Sequence, residues 1–360
     1  MSPWHKGARV LHLPYQTPYV RKLTPPPFHI VNGSPIPNDL NFNWLRRQND
    51  FSFFDILHIH FIDFDTPEDV AYVLEKCAQE KKKIIYTAHN ICPMYDDSEE
   101  FYQKKVELIC SHADALVALT PSGGQALLEK LNAPSLQSRL AVQPLGWHVD
   151  PSHPKWGRAG SSKETIQYAI YGSFRHNREF YSPILNWYYS LRGTNAHLNI
   201  FALPVNPCDI ETEKPHVAET VSFIQSDPAR MSLRIFPHLS DNQIIDLLSG
   251  CDVLLMPYLW GSHSGQLEQA FDMNLLPVSS DVGYYKDQWR QVQSYVPEPV
   301  WFNWSDGNIY NYGSRLTEAL QTAQAQALRH KKGPREKFRQ YRLQEYQDML
   351  QFHARLYGEV

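Results

Sequence analysis

The residues best suited to chemistry lie at 251–285, where a loop rich in glycine and serine separates an apolar run from a helical pattern. The apolar run is 253–256 and the loop is 261–265, and a second apolar run follows the helical pattern. This order predicts strand, loop, helix and strand. The first N–H groups of a helix attract anions, so Ser264 and Gly265 are candidates for holding a phosphate group.

Glu268 lies one turn into the same predicted helix. A carboxylate there can accept two hydrogen bonds from a vicinal diol such as a ribose, as acidic residues do in other nucleotide sites. In the alternative interpretation, Ser264 only caps the helix and Glu268 is a first-turn capping carboxylate. The pattern alone leaves both interpretations open.

A second group of candidates follows the strand pattern at 165–171. Gly172 permits a turn, and Arg175 and Arg178 stand three residues apart before a predicted helix. Guanidinium groups donate paired hydrogen bonds to phosphate oxygens, so the two arginines could clamp a diphosphate. Two exposed surface arginines would give the same pattern.

Composition indicates a globular protein with ample core. The chain has 360 residues, 42% of them hydrophobic, and a formal net charge of −4, which gives no general attraction to nucleic acid. Its five cysteines are scattered without CxxC spacing, so neither a disulfide framework nor a zinc site is predicted. The first residues do not resemble a signal peptide, and no apolar run is long enough to span a bilayer. We therefore expect a cytoplasmic protein.

The elements that must position these residues alternate between strand and helix, which predicts parallel sheets with ligands at the carboxyl ends of their strands. His89 follows the strand pattern at 83–87 and is a candidate at such an end. A core histidine that hydrogen-bonds to the backbone is the alternative. His58 and His60 alternate within another strand pattern, but no third metal ligand follows at suitable spacing, so no metal site is predicted.

The same alternation restarts after a segment rich in Pro, Gly and Ser at 151–162, which is the predicted linker. We expect an N-terminal domain at 1–155, a C-terminal domain at 163–340 and a final helix at 341–360. Each domain is predicted to be Rossmann-like.

The order of these motifs resembles the GT-B glycosyltransferases, in particular the large family 4-like group that uses sugar nucleotides. The resemblance rests on the sequences HN after one strand, GSFRxxR after another, FPHLSD, CDVLLMPY, SHSG before a helix with a glutamate, and PVSSDVG. It covers nearly the whole chain. It implies two Rossmann-like domains that face each other across a cleft, with the C-terminal helix crossing back to the N-terminal domain.

The resemblance also implies roles for individual residues. Arg175 and Arg178 would bind the donor diphosphate, Glu268 the ribose, and His89 the donor sugar. Three residues of the FPHL motif would line the pocket of the nucleotide base: Pro237, His238 and Leu239.

Two features depart from the family pattern. The family has a glutamate eight positions before Glu268, and this chain has Trp260 there, which removes a carboxylate from the donor sugar. No glycine-rich turn follows the first strand.

The implied reaction is transfer of a sugar from a nucleoside diphosphate to a hydroxyl of a polysaccharide, a lipid-linked intermediate or a small metabolite, with retention at the anomeric carbon. Its main electrostatic task is to stabilise the departing diphosphate. Positive charge and helix N–H groups meet that need, so neither a metal nor another cofactor is expected. The alternatives are a non-catalytic binding or partner subunit and a sugar-nucleotide epimerase.

The basic run RHKKGPREKFR at 329–339 could contact acidic phospholipid head groups at the inner face of a membrane, although a solvated surface is the alternative. The sequence predicts neither the acceptor nor the oligomeric state.

Overall fold

The computed structural model describes residues 8–14, 17–23, 29–30, 41–48, 50–94, 98–157, 164–173, 177–203, 215–304, 312–329 and 335–359. The chain divides into two compact units. The first unit comprises Met1–Gly146, Gly261–His263 and Leu343–Val360, and the second comprises Trp147–Trp260 and Ser264–Arg342.

The first unit is built on a parallel sheet of six strands in the order β2-β1-β3-β4-β5-β6. The strands are β1 (Arg9–Leu13), β2 (His29–Ile30), β3 (Ile56–Ile59), β4 (Lys83–Ala88), β5 (Ala115–Ala118) and β6 (Leu140–Val142). The chain moves from β1 to β2 on one side and then to β3 on the other. Strand order therefore reverses between β1 and β3, and open α/β sheets bind ligands at the carboxyl ends of such neighbouring strands.

Local sequence explains why the helices of this unit begin where they do. The Thr66 side chain accepts a hydrogen bond from the N–H of Asp69, and Pro67 occupies the first helical turn. Thr120 and Pro121 repeat this arrangement, and both pairs fit the known preferences of helix starts. The helices are α1 (Pro18–Lys22), α2 (Phe42–Gln48), α3 (Pro67–Gln79), α4 (Glu99–His112) and α5 (Pro121–Lys130), with a short 3-10 helix at Pro134–Arg139.

The last helix, α12, runs from Glu336 to Glu359 and begins five residues before the predicted position. Its residues from Leu343 onward belong to the first unit. Tyr357 is buried in a hydrophobic cluster with Val10 and Ile85. Packing of the final helix in the N-terminal unit is therefore confirmed.

The second unit has a parallel sheet of six strands in the order β12-β11-β10-β7-β8-β9. The strands are β7 (Ile166–Ser173), β8 (Ala196–Leu203), β9 (Met231–Ile235), β10 (Val253–Met256), β11 (Leu276–Ser280) and β12 (Val300–Phe302). Here the strand order reverses between β7 and β10, as in a dinucleotide-binding fold. The carboxyl ends of β7 and β10 are thus the expected ligand site of this unit.

The helices of the second unit cover both faces of its sheet. They are α6 (Tyr181–Ser190), α7 (Pro215–Gln225), α8 (Asp241–Leu248), α9 (Gly265–Met273), α10 (Tyr285–Val292) and α11 (Tyr312–Arg329), together with the start of α12. Trp187, Tyr168 and Leu320 pack in the core on one face, and Leu254, Phe271 and Phe338 pack on the other. Strands buried on both faces explain the continuous apolar runs in the sequence.

The predicted linker at 151–162 is only partly described, up to Gly157. This part belongs to the second unit, in which Trp156 is buried and its ring lies 5.7 Å from that of Phe338. The basic run at 329–339 is described at 329 and at 335–339, and its residues 330–334 lie outside the described part of the chain. None of the helices in the described part of the chain is both long and apolar enough to cross a membrane.

Candidate functional site

The first turn of α9 follows the carboxyl end of β10. Ser264 has extended backbone angles, and its side chain accepts a hydrogen bond from the N–H of Leu267, so it is the N-cap of α9. The backbone oxygen of Ser264 accepts from the N–H groups of Leu267 and Glu268. The first N–H groups of a helix have no acceptor within the helix, and those of Gly265 and Gln266 have no backbone acceptor in the part of the chain that the structure describes, so they are available to an anion. We call residues 264–266 the α9 start.

Gln288 of α10 holds the first residue of the α9 start, Ser264, through two hydrogen bonds. Its Oε1 accepts from the N–H of Ser264 at 3.1 Å, and its Nε2 donates to the Ser264 carbonyl at 2.7 Å. Both groups are buried. The N-cap residue is thus held by two hydrogen bonds to a single amide, which limits its movement.

Arg178 lies beside the α9 start at the end of β7. Its Nη1 donates to the carbonyl of Tyr171 at 2.9 Å, and its Nη2 donates to the hydroxyl of Tyr258. Gln266 of the α9 start donates to the same Tyr171 carbonyl at 2.9 Å. The predicted guanidinium and the predicted helix start are therefore brought together where strand order reverses.

Gly172 makes this approach possible. Its φ is +124°, and a Cβ atom at this position would lie 1.9 Å from Nη1 of Arg178. A residue with a side chain would be strained in this conformation and would also displace the guanidinium. The predicted turn glycine is required for the position of Arg178.

Gly265 also has a close neighbour, His148. A Cβ atom at Gly265 would lie 3.1 Å from Cε1 of the imidazole. The backbone N–H of His148 donates to Asp272 Oδ2 at 2.6 Å, which fixes this segment against α9. An imidazole is thus placed beside the helix start, a contact that no local sequence pattern indicated.

Glu268 is buried, with 2% of its surface exposed, and both of its carboxylate oxygens have protein partners. Oε1 accepts from Gln288 Nε2 at 2.9 Å, and Oε2 accepts from Arg342 Nη2. Arg342 is 1% exposed and also donates through Nε to Asp272 at 2.9 Å. The Glu268 carboxylate thus belongs to a buried ion-pair network, which neither interpretation of the sequence included.

The predicted base-binding residues lie at the carboxyl end of β9, an edge strand of the second sheet. Pro237 and His238 are exposed, whereas Leu239 is buried. Ser240 and Gln243 then form a capping box that begins α8. The loop is on the same edge of the sheet as the α9 start because all strands of this sheet are parallel.

His89 follows β4 in the first unit and is buried in an aromatic environment. Its ring stacks on Phe61 at 4.7 Å and meets the edge of Tyr19 at 4.9 Å. Burial, reinforced by the nearby ammonium of Lys22, lowers the pKa of His89 to about 3. The ring is therefore neutral at physiological pH and can act as a hydrogen-bonding group rather than as a cation.

Arg175 and Trp260 are two further predicted positions. Arg175 lies outside the described residues. Trp260, which replaces the family's first glutamate, is 37% exposed, and its carbonyl accepts from Asn177 Nδ2 at 3.3 Å.

Sequence reasoning missed Arg342, Gln288 and His12. Glu268 and Asp272 are four residues apart on a helix whose other residues are uncharged, and this spacing was the available signal for a buried cation between them. The signal for His12 was a strand with a single central histidine, LHL, in the same apolar context as His58.

Comparison with known proteins identifies the fold. No protein-family model and no curated protein sequence matches this chain. Among solved structures, sucrose-phosphate synthase from Thermosynechococcus elongatus matches 98% of this chain and 100% of its own chain, with 13% identity and a TM-score of 0.66.

Two other structures give a similar result. Anabaena HepE in complex with UDP and glucose matches 98% of this chain and 100% of its own, with 12% identity and a TM-score of 0.63. The lipopolysaccharide outer core galactosyltransferase WaaB matches over the same shares, with 10% identity and a TM-score of 0.55. The chain has the GT-B fold, as the motif order predicted.

Proposed function

We propose that this chain is a glycosyltransferase that moves a sugar from a nucleoside diphosphate to a hydroxyl acceptor. The observation that carries the proposal is the pairing of Arg178 with the α9 start. Both Arg178 and Gln266 donate to the Tyr171 carbonyl, at 2.9 Å each. This places a fixed positive charge beside free helix N–H groups at the site where the fold binds ligands.

The chemistry follows from that arrangement. Cleavage between the anomeric carbon and the phosphate leaves a cationic sugar and a departing diphosphate. The α9 dipole, its first N–H groups and the guanidinium of Arg178 would stabilise the negative charge as it develops. Arg175, three residues earlier, would provide the second guanidinium of the clamp. These groups supply the needed charge, so we propose that the reaction requires no metal ion.

Similar structures support the choice of a nucleotide sugar. HepE was crystallised with UDP and glucose, and a starch synthase IV from Arabidopsis thaliana with ADP and acarbose. We therefore propose a hexose as the transferred sugar, with retention at the anomeric carbon and with neutral His89 contacting the donor sugar. The aromatic surroundings of His89, namely Phe61 and Tyr19, suit the apolar face of a sugar ring.

Glu268 is the predicted residue that the geometry supports least as a direct ligand. Its two oxygens accept hydrogen bonds from Gln288 and Arg342. Gln288 in turn holds Ser264 through two hydrogen bonds. We propose that Glu268 acts mainly by positioning the α9 start. Contact with a ribose hydroxyl would have to use a second lone pair of a carboxylate that is almost wholly buried.

A non-catalytic binding subunit is the second candidate, and Trp260 is the observation that favours it. Its indole replaces the carboxylate that would contact sugar hydroxyls. Such a protein would still bind a nucleoside diphosphate through Arg178 and the α9 start. Nucleotide binding without sugar transfer would identify this case.

The test begins with a thermal-shift screen of the full chain against UDP, GDP, ADP, CDP and dTDP, with and without magnesium. A ligand at a hundredfold excess over its dissociation constant stabilises the native state by about 2.7 kcal/mol, which such a screen detects. We expect a shift with at least one nucleotide that does not depend on magnesium. Hydrolysis or transfer of the matching sugar nucleotide is then measured directly. A chain that responds to none of the five would contradict the proposal.

A further inference from the structure

Three histidines meet at the place in the first sheet where strand order reverses. His12 in β1 is paired in register with His58 in β3, and His60 follows β3 directly. Residues two apart in a strand share a face, so all three rings project on the same side of the sheet. Their ligand atoms lie within 4.8 Å of one another. This group, His12, His58 and His60, is called the histidine triad below.

The triad is buried. The exposed fractions of the three residues are 0%, 0% and 2%.

The rings of His58 and His60 form hydrogen bonds with residues outside the triad. His58 contacts the Tyr357 hydroxyl through Nδ1 at 2.7 Å and the Thr87 hydroxyl through Nε2 at 2.8 Å. His60 Nδ1 lies 3.4 Å from His89 Nε2. Because both ring nitrogens of His58 have hydroxyl partners, His58 would have to give up one of these hydrogen bonds to bind a metal ion, and the other would then fix its tautomer and orientation.

Two nitrogens face each other at hydrogen-bond distance between β1 and β3. His12 Nδ1 lies 2.9 Å from His60 Nε2. Zinc–nitrogen bonds of about 2.0–2.1 Å at tetrahedral angles would place these atoms about 3.3 Å apart, so the rings would separate by only about 0.4 Å. An ion here would replace the hydrogen bond between these two nitrogens. It would not contact His12 Nε2, which is buried and has no hydrogen-bond partner among the described residues.

We propose that the histidine triad binds one divalent transition-metal ion of the zinc class. A ligand set made only of imidazoles suits zinc, cobalt, nickel or copper, and does not suit magnesium or calcium, which prefer oxygen. Three protein ligands leave the fourth tetrahedral position for water or an anion. The ion would join β1 to β3 within the first unit. It has no part in the proposed binding of diphosphate, which uses residues of the second unit.

The test uses the full chain without an affinity tag. The protein is stripped with EDTA, loaded with Co²⁺ or Zn²⁺, passed over a desalting column and analysed for metal by mass spectrometry. We expect one ion per chain and, with cobalt, visible absorption bands of a low-coordinate nitrogen site. His12→Gln and His60→Gln should each weaken binding at least tenfold. His353→Gln is the matched control, since His353 is also buried but lies outside the triad, and it should retain the ion.

Two results would overturn the proposal: no retained metal in the wild-type chain, or equal binding in the His12→Gln variant. The three histidines would then be a hydrogen-bonded part of the core. If the variants do not fold, X-ray absorption of the cobalt-loaded wild-type chain decides the question. A first shell with about three imidazole nitrogens supports the site, whereas a shell dominated by oxygen rules it out. None of these readouts depends on nucleotide binding or sugar transfer.

Discussion

Arg178 lies directly across Gly172, so closely that a single added carbon atom on the glycine would be 1.9 Å from the guanidinium. Arg178 can therefore lie beside the α9 start only because Gly172 has no side chain. This relationship makes the diphosphate site sensitive to a substitution that removes no charge.

Gly172→Ala should weaken binding of the nucleoside diphosphate by at least tenfold, because Arg178 must move away from the site. The φ of +124° adds a stability cost of about 1–3 kcal/mol. Calorimetric titration measures the affinity and urea denaturation the stability. Gly193→Ala is the control: Gly193 also has a positive φ, of +81°, but open space around its Cβ position. Equal loss of affinity in both variants would show that strain alone is responsible.

Arg175→Ala should lower the affinity for the nucleoside diphosphate and leave the thermal unfolding of the free protein unchanged. A guanidinium in contact with a phosphate contributes a charge-assisted hydrogen bond of about 1.5–3 kcal/mol, which corresponds to roughly a ten- to hundredfold change in affinity. Arg192→Ala tests for a general effect of charge, since Arg192 is exposed after α6. Unchanged affinity in Arg175→Ala would remove this residue from the clamp.

Arg342→Met should destabilise the chain by about 3–5 kcal/mol, because it leaves two buried carboxylates, Glu268 and Asp272, without their cation. Urea denaturation measures the loss. Lys155→Met is the matched comparison, since its ion pair with Asp246 is largely exposed and should contribute less than about 1 kcal/mol. Similar losses in the two variants would mean that the Arg342 network contributes little.

Asp65 should make the chain less stable as pH rises from 4 to 6. Burial raises the pKa of this carboxyl to about 6, although the N–H of Phe42 and the ammonium of Lys105 act in the opposite direction, and Asp63 and Asp69 lie nearby. The folded state therefore binds the proton more tightly than the unfolded state, and the stability from that proton is lost as pH rises through 6. The effect should be on the order of 2 kcal/mol.

Asp65→Asn isolates this effect, since an amide oxygen can still accept from Phe42. Between pH 4 and pH 6.5, we expect the unfolding free energy of the wild type to fall relative to that of the variant. A difference that is constant with pH would contradict the assignment, whatever the acid stability of the rest of the chain.

Sequence patterns predicted the elements because their signals are local. The pair Thr66 and Pro67 marks a helix start within two residues, and the apolar run at 253–256 marks a buried strand. Ser264 as an N-cap followed from the same kind of signal. Local patterns were sufficient for the alternation of strand and helix, and this alternation was sufficient for the fold class.

The remaining features depend on pairs that are distant in sequence. Glu268 meets Arg342 across 74 positions, and no local pattern records which arginine will reach a given carboxylate. His12 joins His60 across 48 positions through the pairing of β1 with β3. Such contacts appear only when the strand order is known, so the role of Glu268 and the third histidine could not be predicted.

The division of the first unit along the chain affects the order in which the protein can be completed during synthesis. Its sheet precedes Gly146, but the helical segment that buries Tyr357 against Val10 begins at Leu343. About 200 residues of the second unit are made between them, which takes on the order of 10–40 s at usual rates of translation. Throughout this interval the helical segment that packs on the apolar surface around Val10 and Ile85 has not yet been synthesised. The unit whose synthesis begins first can therefore be completed only after the second unit has been made.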